Sequence, residues 1–187
     1  METLLTVVFG ILVFGASFCL LSMEYYAHRS RMVAASSVPW MRKAVIKRLN
    51  KEVKEMALGA PLILDLGSGW GTLALAAAKA CSGATVVGYE ISPVPLAFSR
   101  LKAWLWGYKH VKFLNVDMFT EDFSKADIVL AYLAMPHMER LRSKFEAELK
   151  PGAVVICNTF PVPGWTPACE ETVQDFIYKL KVYTFRV

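Results

Sequence analysis

The stretch Ile63-Leu64-Asp65-Leu66-Gly67-Ser68-Gly69-Trp70-Gly71-Thr72, running on into Leu73-Ala74-Leu75-Ala76-Ala77-Ala78, decides the fold. Its apolar start reads as a buried strand, its glycines as a tight turn and its alanine-rich end as a helix. Glycine lets a backbone come close to a ligand, and a helix start leaves N–H groups without intrahelical partners. Turns of this kind receive phosphates well. Asp65 inside this one is wrong for a phosphate and right for a cationic amine.

Outward from the turn, strands and helices alternate. Leu62 to Leu66 reads as the first strand and Leu73 to Cys81 as its helix. Thr85 to Tyr89 is a strand after the Ser82-Gly83 turn, and Val94 to Trp106 a helix closing near Gly107. Val111 to Leu114 and Ala126 to Tyr132 are strands, Met138 to Glu148 a helix, and Ala153 to Asn158 a strand after Lys150-Pro151-Gly152. Repeated units of this length predict an α/β fold, a Rossmann-like parallel sheet with helices on both faces. Upstream, Ser36-Ser37-Val38-Pro39 reads as a helix start with a serine cap. Met41, Val45, Leu49, Val53 and Met56 then recur at helical spacing, with Arg42, Lys43, Lys47, Lys51 and Lys54 on other faces. Downstream, a proline-rich segment from Thr159 to Ala168 leads to runs around Thr172 to Tyr178 and Lys181 to Val187, read as an antiparallel addition at the sheet edge.

The chain has 187 residues, enough for one domain with an ordinary core, and 55% of them are hydrophobic. The apolar excess sits at the N-terminus, where Thr3 to Met23 carries no charge. At ~1.5 Å per residue that segment spans ~31 Å, enough to cross a hydrocarbon core. A cleaved signal peptide needs a basic start and a small-residue cleavage site, and neither is evident. The expected organisation is a transmembrane anchor over residues 1–23, a juxtamembrane connector over 24–37 and a folded domain over 38–187. Residues 24 to 56 carry eight Lys/Arg against three acids, whereas 57 to 187 carry thirteen against twelve. The basic excess just after the anchor predicts a single-pass protein with its domain in the cytoplasm. The same basic segment suits anionic headgroups. The nearly neutral remainder lacks the basic groove of a nucleic-acid binder. Cys19, Cys81, Cys157 and Cys169 show neither pairing nor metal-ligand spacing, as expected of free thiols in a reducing compartment, and no metal site is expected.

Three acids recur at strand ends. Asp65 closes the first strand, Glu90 follows the second and Asp117 follows the third. Ligands of open α/β sheets bind beyond the carboxyl ends of the strands. There Glu90 can accept both hydroxyls of a ribose, and Asp117 an adenine amino group with Met118 against the ring. A cationic amine, a ribose and an adenine together describe S-adenosylmethionine (SAM), held by Asp65, Gly67, Ser68, Gly69, Gly71, Glu90, Ile91, Asp117 and Met118. NAD shares the architecture but wants Gly-x-Gly-x-x-Gly, and the third glycine position here is Thr72.

These residues resemble the class I SAM-dependent methyltransferases. Gly88-Tyr89-Glu90-Ile91-Ser92-Pro93, Asp127-Ile128-Val129-Leu130-Ala131-Tyr132-Leu133, Leu149-Lys150-Pro151-Gly152-Ala153 and Asn158-Thr159-Phe160-Pro161-Val162-Pro163-Gly164-Trp165 resemble a narrower group. That group holds the lysine methyltransferases of the ATP synthase c-subunit and the adenine nucleotide translocase, with small bacterial relatives. Its members also carry an N-terminal hydrophobic segment and a Val-Pro element like Val38-Pro39. The resemblance covers roughly residues 36 to 187 and departs at Trp70, where the group commonly has an acid. It implies N-methylation of a lysine in a membrane-associated protein.

A lysine acceptor must first lose a proton, since at a pKa near 10.4 about one amine in a few thousand is neutral at pH 7. Tyr132 after the fourth strand and His137 are the candidate catalytic groups. Asn158, Phe160 and Trp165 after the fifth strand are candidates for the acceptor wall. Two other readings stay open: a lipid or small-molecule N-methyltransferase, and a membrane protein that binds SAM without turning it over.

Overall fold

The computed structural model describes residues 2–30, 37–175 and 177–187. Helix α1 (Glu2–Ser30) stands at the N-terminus and α2 (Pro39–Met56) follows. The domain continues as β1 (Leu62–Leu66), α3 (Thr72–Ala80), β2 (Thr85–Tyr89), α4 (Pro93–Leu105), β3 (Val111–Leu114), β4 (Ile128–Ala131), α5 (Met135–Glu148), β5 (Val154–Asn158), β6 (Cys169–Gln174) and β7 (Lys179–Arg186). The seven strands form one sheet in the order β3-β2-β1-β4-β5-β7-β6. All neighbours pair in parallel except those of β7, which runs antiparallel to both β5 and β6. The expected parallel Rossmann-like sheet with an antiparallel edge is present.

Strand alternation sorts the core into two layers. Ile63, Val86, Ile128, Leu130, Val154 and Ile156 point to one face, where Met41, Val45 and Leu49 of α2 and Leu73, Ala74 and Ala77 of α3 cover them. Leu64, Leu66, Val129, Val155 and Phe185 point to the other, under Met138, Leu141 and Phe145 of α5. Each large side chain buried this way contributes about 1.5–3 kcal/mol. A buried ion cluster ties α2 to the distal hairpin. Glu52 is fully buried between Arg48 of its own helix and Arg186 of β7, whose Nη2 lies 2.7 Å from Glu52 Oε2.

Several boundaries differ from those expected. α1 does not stop near Met23: it runs on to Ser30, so the first part of the expected connector is helical. Residues 31–36, including the cap candidate Ser36, lie outside the described residues. Ser37 does not cap α2. The position before Pro39 is Val38, without a side-chain cap bond, and the buried Ser37 hydroxyl instead accepts a hydrogen bond from Asn158. α5 starts three residues early because Pro136 fits a first helical turn. β6 ends at Gln174 because Asp175 Oδ1 accepts the N–H groups of Ile177 and Tyr178, closing a turn where strand was expected.

Candidate functional site

The chain runs outward through β1, β2 and β3 and then returns to β4 on the other side of β1. This reversal opens a crevice beyond the carboxyl ends of β1 and β4. Asp65 sits at its floor, level with Gly88 of β2 and Leu130 of β4. Tyr132 lies just past β4 on the same edge, half-buried.

The glycine turn has the conformation its sequence predicts. Gly67, Gly69 and Gly71 have φ of 66°, 51° and 73°, a region costly for other residues. At Gly71, which opens α3, a Cβ would also come within 2.6 Å of Ser99 Cβ and 2.8 Å of Phe113 Cζ. On the neighbouring strand a Cβ at Gly88 would lie 2.8 Å from Ser68 Oγ. Only glycine there lets the turn fold down onto β2, where the Ser68 N–H donates to the Tyr89 carbonyl at 2.9 Å.

Glu90 locks this arrangement from beside the turn. Its Oε2 accepts the Gly69 N–H at 2.8 Å and its Oε1 accepts the Ser92 N–H at 2.7 Å. Asn115, at the end of β3, donates to the carbonyls of Glu90 at 3.0 Å and Ile91 at 3.1 Å. The ends of β1, β2 and β3 are thus stitched into one rim. Ile91 is half-buried in it. Asp117 is exposed and accepts the Phe119 N–H at 3.0 Å, while Met118 is buried in the second core layer. Sequence reasoning gave Asn115 no role. Its only signal was a polar residue between a strand end and Asp117.

Asp65 is the electrostatic centre. Burial pushes its carboxyl up from 3.8 to about 7; the Ala74 N–H opposes this and the charge of Glu90 adds to it. Its Oδ2 is buried without a hydrogen-bond partner. The Ser68 hydroxyl, in the turn beside it, is also buried and unpartnered. A buried carboxylate oxygen left open is costly, and an ammonium group would satisfy it. The donor set therefore fits a ligand that brings an amine to Asp65 and a hydroxylated nucleoside to Glu90.

The remaining candidates divide. His137 is buried in the first turn of α5, its ring stacked on Phe119 with centroids 6.1 Å apart. Asn158 is buried at the end of β5. Its amide donates to Ser37 and its oxygen accepts the Thr159 hydroxyl, so it braces the segment before α2. Phe160 packs half-buried against the second core layer. Trp165 packs between Phe145 and Phe185, and its indole N–H donates to Glu146 at 3.0 Å. The structure thus engages Asn158 in bracing and Trp165 in packing. Trp70 leans on Phe98 of α4, with ring centroids 5.4 Å apart. Among the described residues no cluster of His, Cys, Asp or Glu has the makings of a metal site.

Residues 65–169 match the family model of the ANTKMT methyltransferase domain. The lysine N-methyltransferase of the ATP synthase c-subunit from Homo sapiens is 37% identical over 125 residues, which are 66% of this chain and 53% of that protein. A protein-lysine N-methyltransferase of Saccharolobus islandicus is 30% identical over 125 residues, covering 66% of this chain and 78% of its own. Among solved structures, an RNA methyltransferase from Salinibacter ruber in complex with S-adenosyl-L-homocysteine superposes with a TM-score of 0.66 at 30% identity, over 81% of this chain and 93% of that one. The chain spans about half to two thirds of the length of the vertebrate relatives it matches.

Proposed function

The chain belongs to the ANTKMT methyltransferase family, and from that premise we propose that it is a SAM-dependent protein-lysine N-methyltransferase whose α1 anchors it in a membrane and whose acceptor is a lysine of a membrane-associated protein. The observation that carries the cofactor is the open, buried Oδ2 of Asp65 beside three glycines of positive φ. Bound in this crevice, SAM supplies an electrophilic methyl on a sulfonium. Asp65 and the Ser68 hydroxyl receive its amine end, and Glu90, already fixed by Gly69 and Ser92, accepts the ribose hydroxyls with its remaining lone pairs. Asp117 and Met118 take the adenine.

Methyl transfer needs alignment and exclusion of water more than covalent help. Tyr132, half-buried just past β4, is the candidate to accept a hydrogen bond from the incoming amine. His137, buried against Phe119 one turn further on, is the candidate for receiving its proton. Membrane attachment is supported by α1. Thr3–Arg29 is the one helix among the described residues long and apolar enough to cross a bilayer, and no residue of its most apolar part is fully buried. Confinement to the membrane surface raises the effective concentration of an acceptor held there.

The test is transfer of labelled methyl from SAM into membranes of the source organism lacking this protein, with Asp65→Asn as control and protein and lipid fractions counted separately. Label in a protein band that yields methyl-lysine, absent with the variant, is the expected result. Label in the lipid fraction would replace the lysine reading with methylation of a lipid amine. Measured SAM binding with no label in either fraction would point to a non-catalytic SAM-binding protein.

A further inference from the structure

α1 does not stand clear of the domain. Its half-buried positions Cys19, Ser22, Met23, Tyr26 and Ala27 recur at helical spacing toward its C-terminal end. The element it lies against is α4. A helix that crosses a bilayer over Thr3–Arg29 passes through the headgroup level in those final turns. α4 is therefore held where a membrane surface would be.

The outer side of α4 is not made for water. Phe98, Leu101, Trp104, Leu105 and Trp106 are all exposed within nine residues, Trp104 by 76% and Trp106 by 62%. Single exposed apolar residues are ordinary, but a contiguous patch marks an interaction surface. Tryptophan in particular favours the boundary between headgroups and acyl chains. The charge along this segment has one sign. Ile91 to Val116 holds four Lys/Arg and no acid, and Arg100, Lys109 and Lys112 are exposed. Lysine is depleted from protein–protein interface cores, whereas an aromatic surface ringed by cations suits an anionic bilayer.

We propose that the outer face of α4, with Trp104 and Trp106 at its end, is a second membrane-docking surface that takes anionic phospholipid headgroups. The proposal rests on the reading of α1 as a membrane anchor and adds orientation to attachment. α1 brings α4 to the headgroup level, and the outer face of α4 lays one side of the domain on the bilayer. Pro93, the first residue of α4, is three residues from Glu90. Docking α4 therefore fixes the height of the cofactor rim above the lipid, which selects acceptor lysines close to the surface.

The full-length chain reconstituted into phosphatidylcholine–phosphatidylserine vesicles with brominated acyl chains tests this. Bromine quenches tryptophan only at close range. The chain has five tryptophans, so the loss of emission should approach the share of two of them. In the Trp104→Phe/Trp106→Phe double variant, which keeps the patch apolar, that loss should largely disappear. Lys109→Glu/Lys112→Glu should reduce quenching in anionic vesicles and leave it unchanged in phosphatidylcholine alone. Flotation after a carbonate wash reads the anchor separately. A chain that fails to float overturns the anchor and this proposal with it. A chain that floats, with equal quenching in wild type and the tryptophan variant, overturns α4 docking alone. Cross-linking of a photoreactive residue at position 104 to a protein, without quenching, would make the face a protein interface and overturn the lipid assignment.

Discussion

Replacing Asp65 with asparagine keeps the shape of the side chain and the oxygen that accepts the Ala74 N–H, and removes only the charge. In the free chain that charge is costly, because the carboxyl titrates near 7 instead of 3.8. An acid raised by folding opposes the fold only when ionised. The cost is absent below the unfolded value of about 3.8, grows by about 1.36 kcal/mol per pH unit above it and is complete near pH 7. From this group alone the wild type loses roughly 2–3 kcal/mol between pH 5 and pH 8, most of it below pH 7. The stability of Asp65→Asn relative to wild type should therefore rise by roughly 2–3 kcal/mol between pH 5 and pH 8. Urea unfolding of the full chain in detergent micelles, followed by tryptophan fluorescence at both pH values, measures it. A difference that stays constant or shrinks with pH would refute the picture of an open buried carboxylate. SAM should narrow the gap: at a hundredfold excess over Kd it stabilises the wild type by about 2.7 kcal/mol and leaves the variant unchanged.

The same carboxylate predicts that SAM affinity falls about tenfold per pH unit below 7, because the amine binds the ionised form. Titration calorimetry in buffers of different ionisation enthalpy should show proton uptake from the site by the buffer near pH 6, and a flat affinity between pH 6 and 8 would rule it out. Gly88→Ala puts a Cβ 2.8 Å from Ser68 Oγ. It should cost about 1–3 kcal/mol of stability and weaken SAM binding as the turn lifts, whereas an unchanged Kd would show that the turn does not depend on β2. Glu90→Gln replaces a charged acceptor of the Gly69 and Ser92 N–H groups and should weaken SAM by about ten- to a hundredfold, or ~1.4–2.7 kcal/mol; equilibrium dialysis would detect it, and full affinity would remove Glu90 from the site. Glu52→Ala leaves the buried Arg48 with only the partly exposed Glu171, 3.4 Å away, to balance it and should cost about 3–5 kcal/mol, read from the urea midpoint; a change below ~1 kcal/mol would mean water reaches that cluster.

The parallel sheet and the floor of the site were legible because they rest on local patterns. β1, β2 and β3 span the residues expected from apolar runs between turn signals, which sets Asp65 at the end of β1 and Glu90 just past β2. What stayed hidden depends on contacts distant in sequence. Asn115 clamps the carbonyls of Glu90 and Ile91 across 25 and 24 residues, and nothing near it in the chain announces that. Ser37 looked like a helix cap because serine often is one, but Asn158, 121 residues away, takes its hydroxyl. Trp165 read as a wall for the acceptor because it follows a strand. Its surroundings come from α5 and β7, which no local pattern brings together. The hairpin was misplaced for a simpler reason: β-prone residues surround Asp175, and the side-chain turn it closes outweighs their propensity.

The position of β7 has a consequence for the order of assembly. β6 precedes β7 in the chain yet lies outside it in the sheet, and it pairs only with β7. β6 therefore reaches the sheet only through residues 179–186 docked on β5, so the two strands join it as one hairpin. Its docking also delivers Arg186 to Glu52 and Glu55 on α2, more than 130 residues upstream. Peeling the hairpin away would leave the Glu52 carboxylate with only Arg48 beside it, so opening this edge is coupled to loosening α2. The far edge of the sheet thus acts as a latch, and the domain closes around its core only when that latch engages.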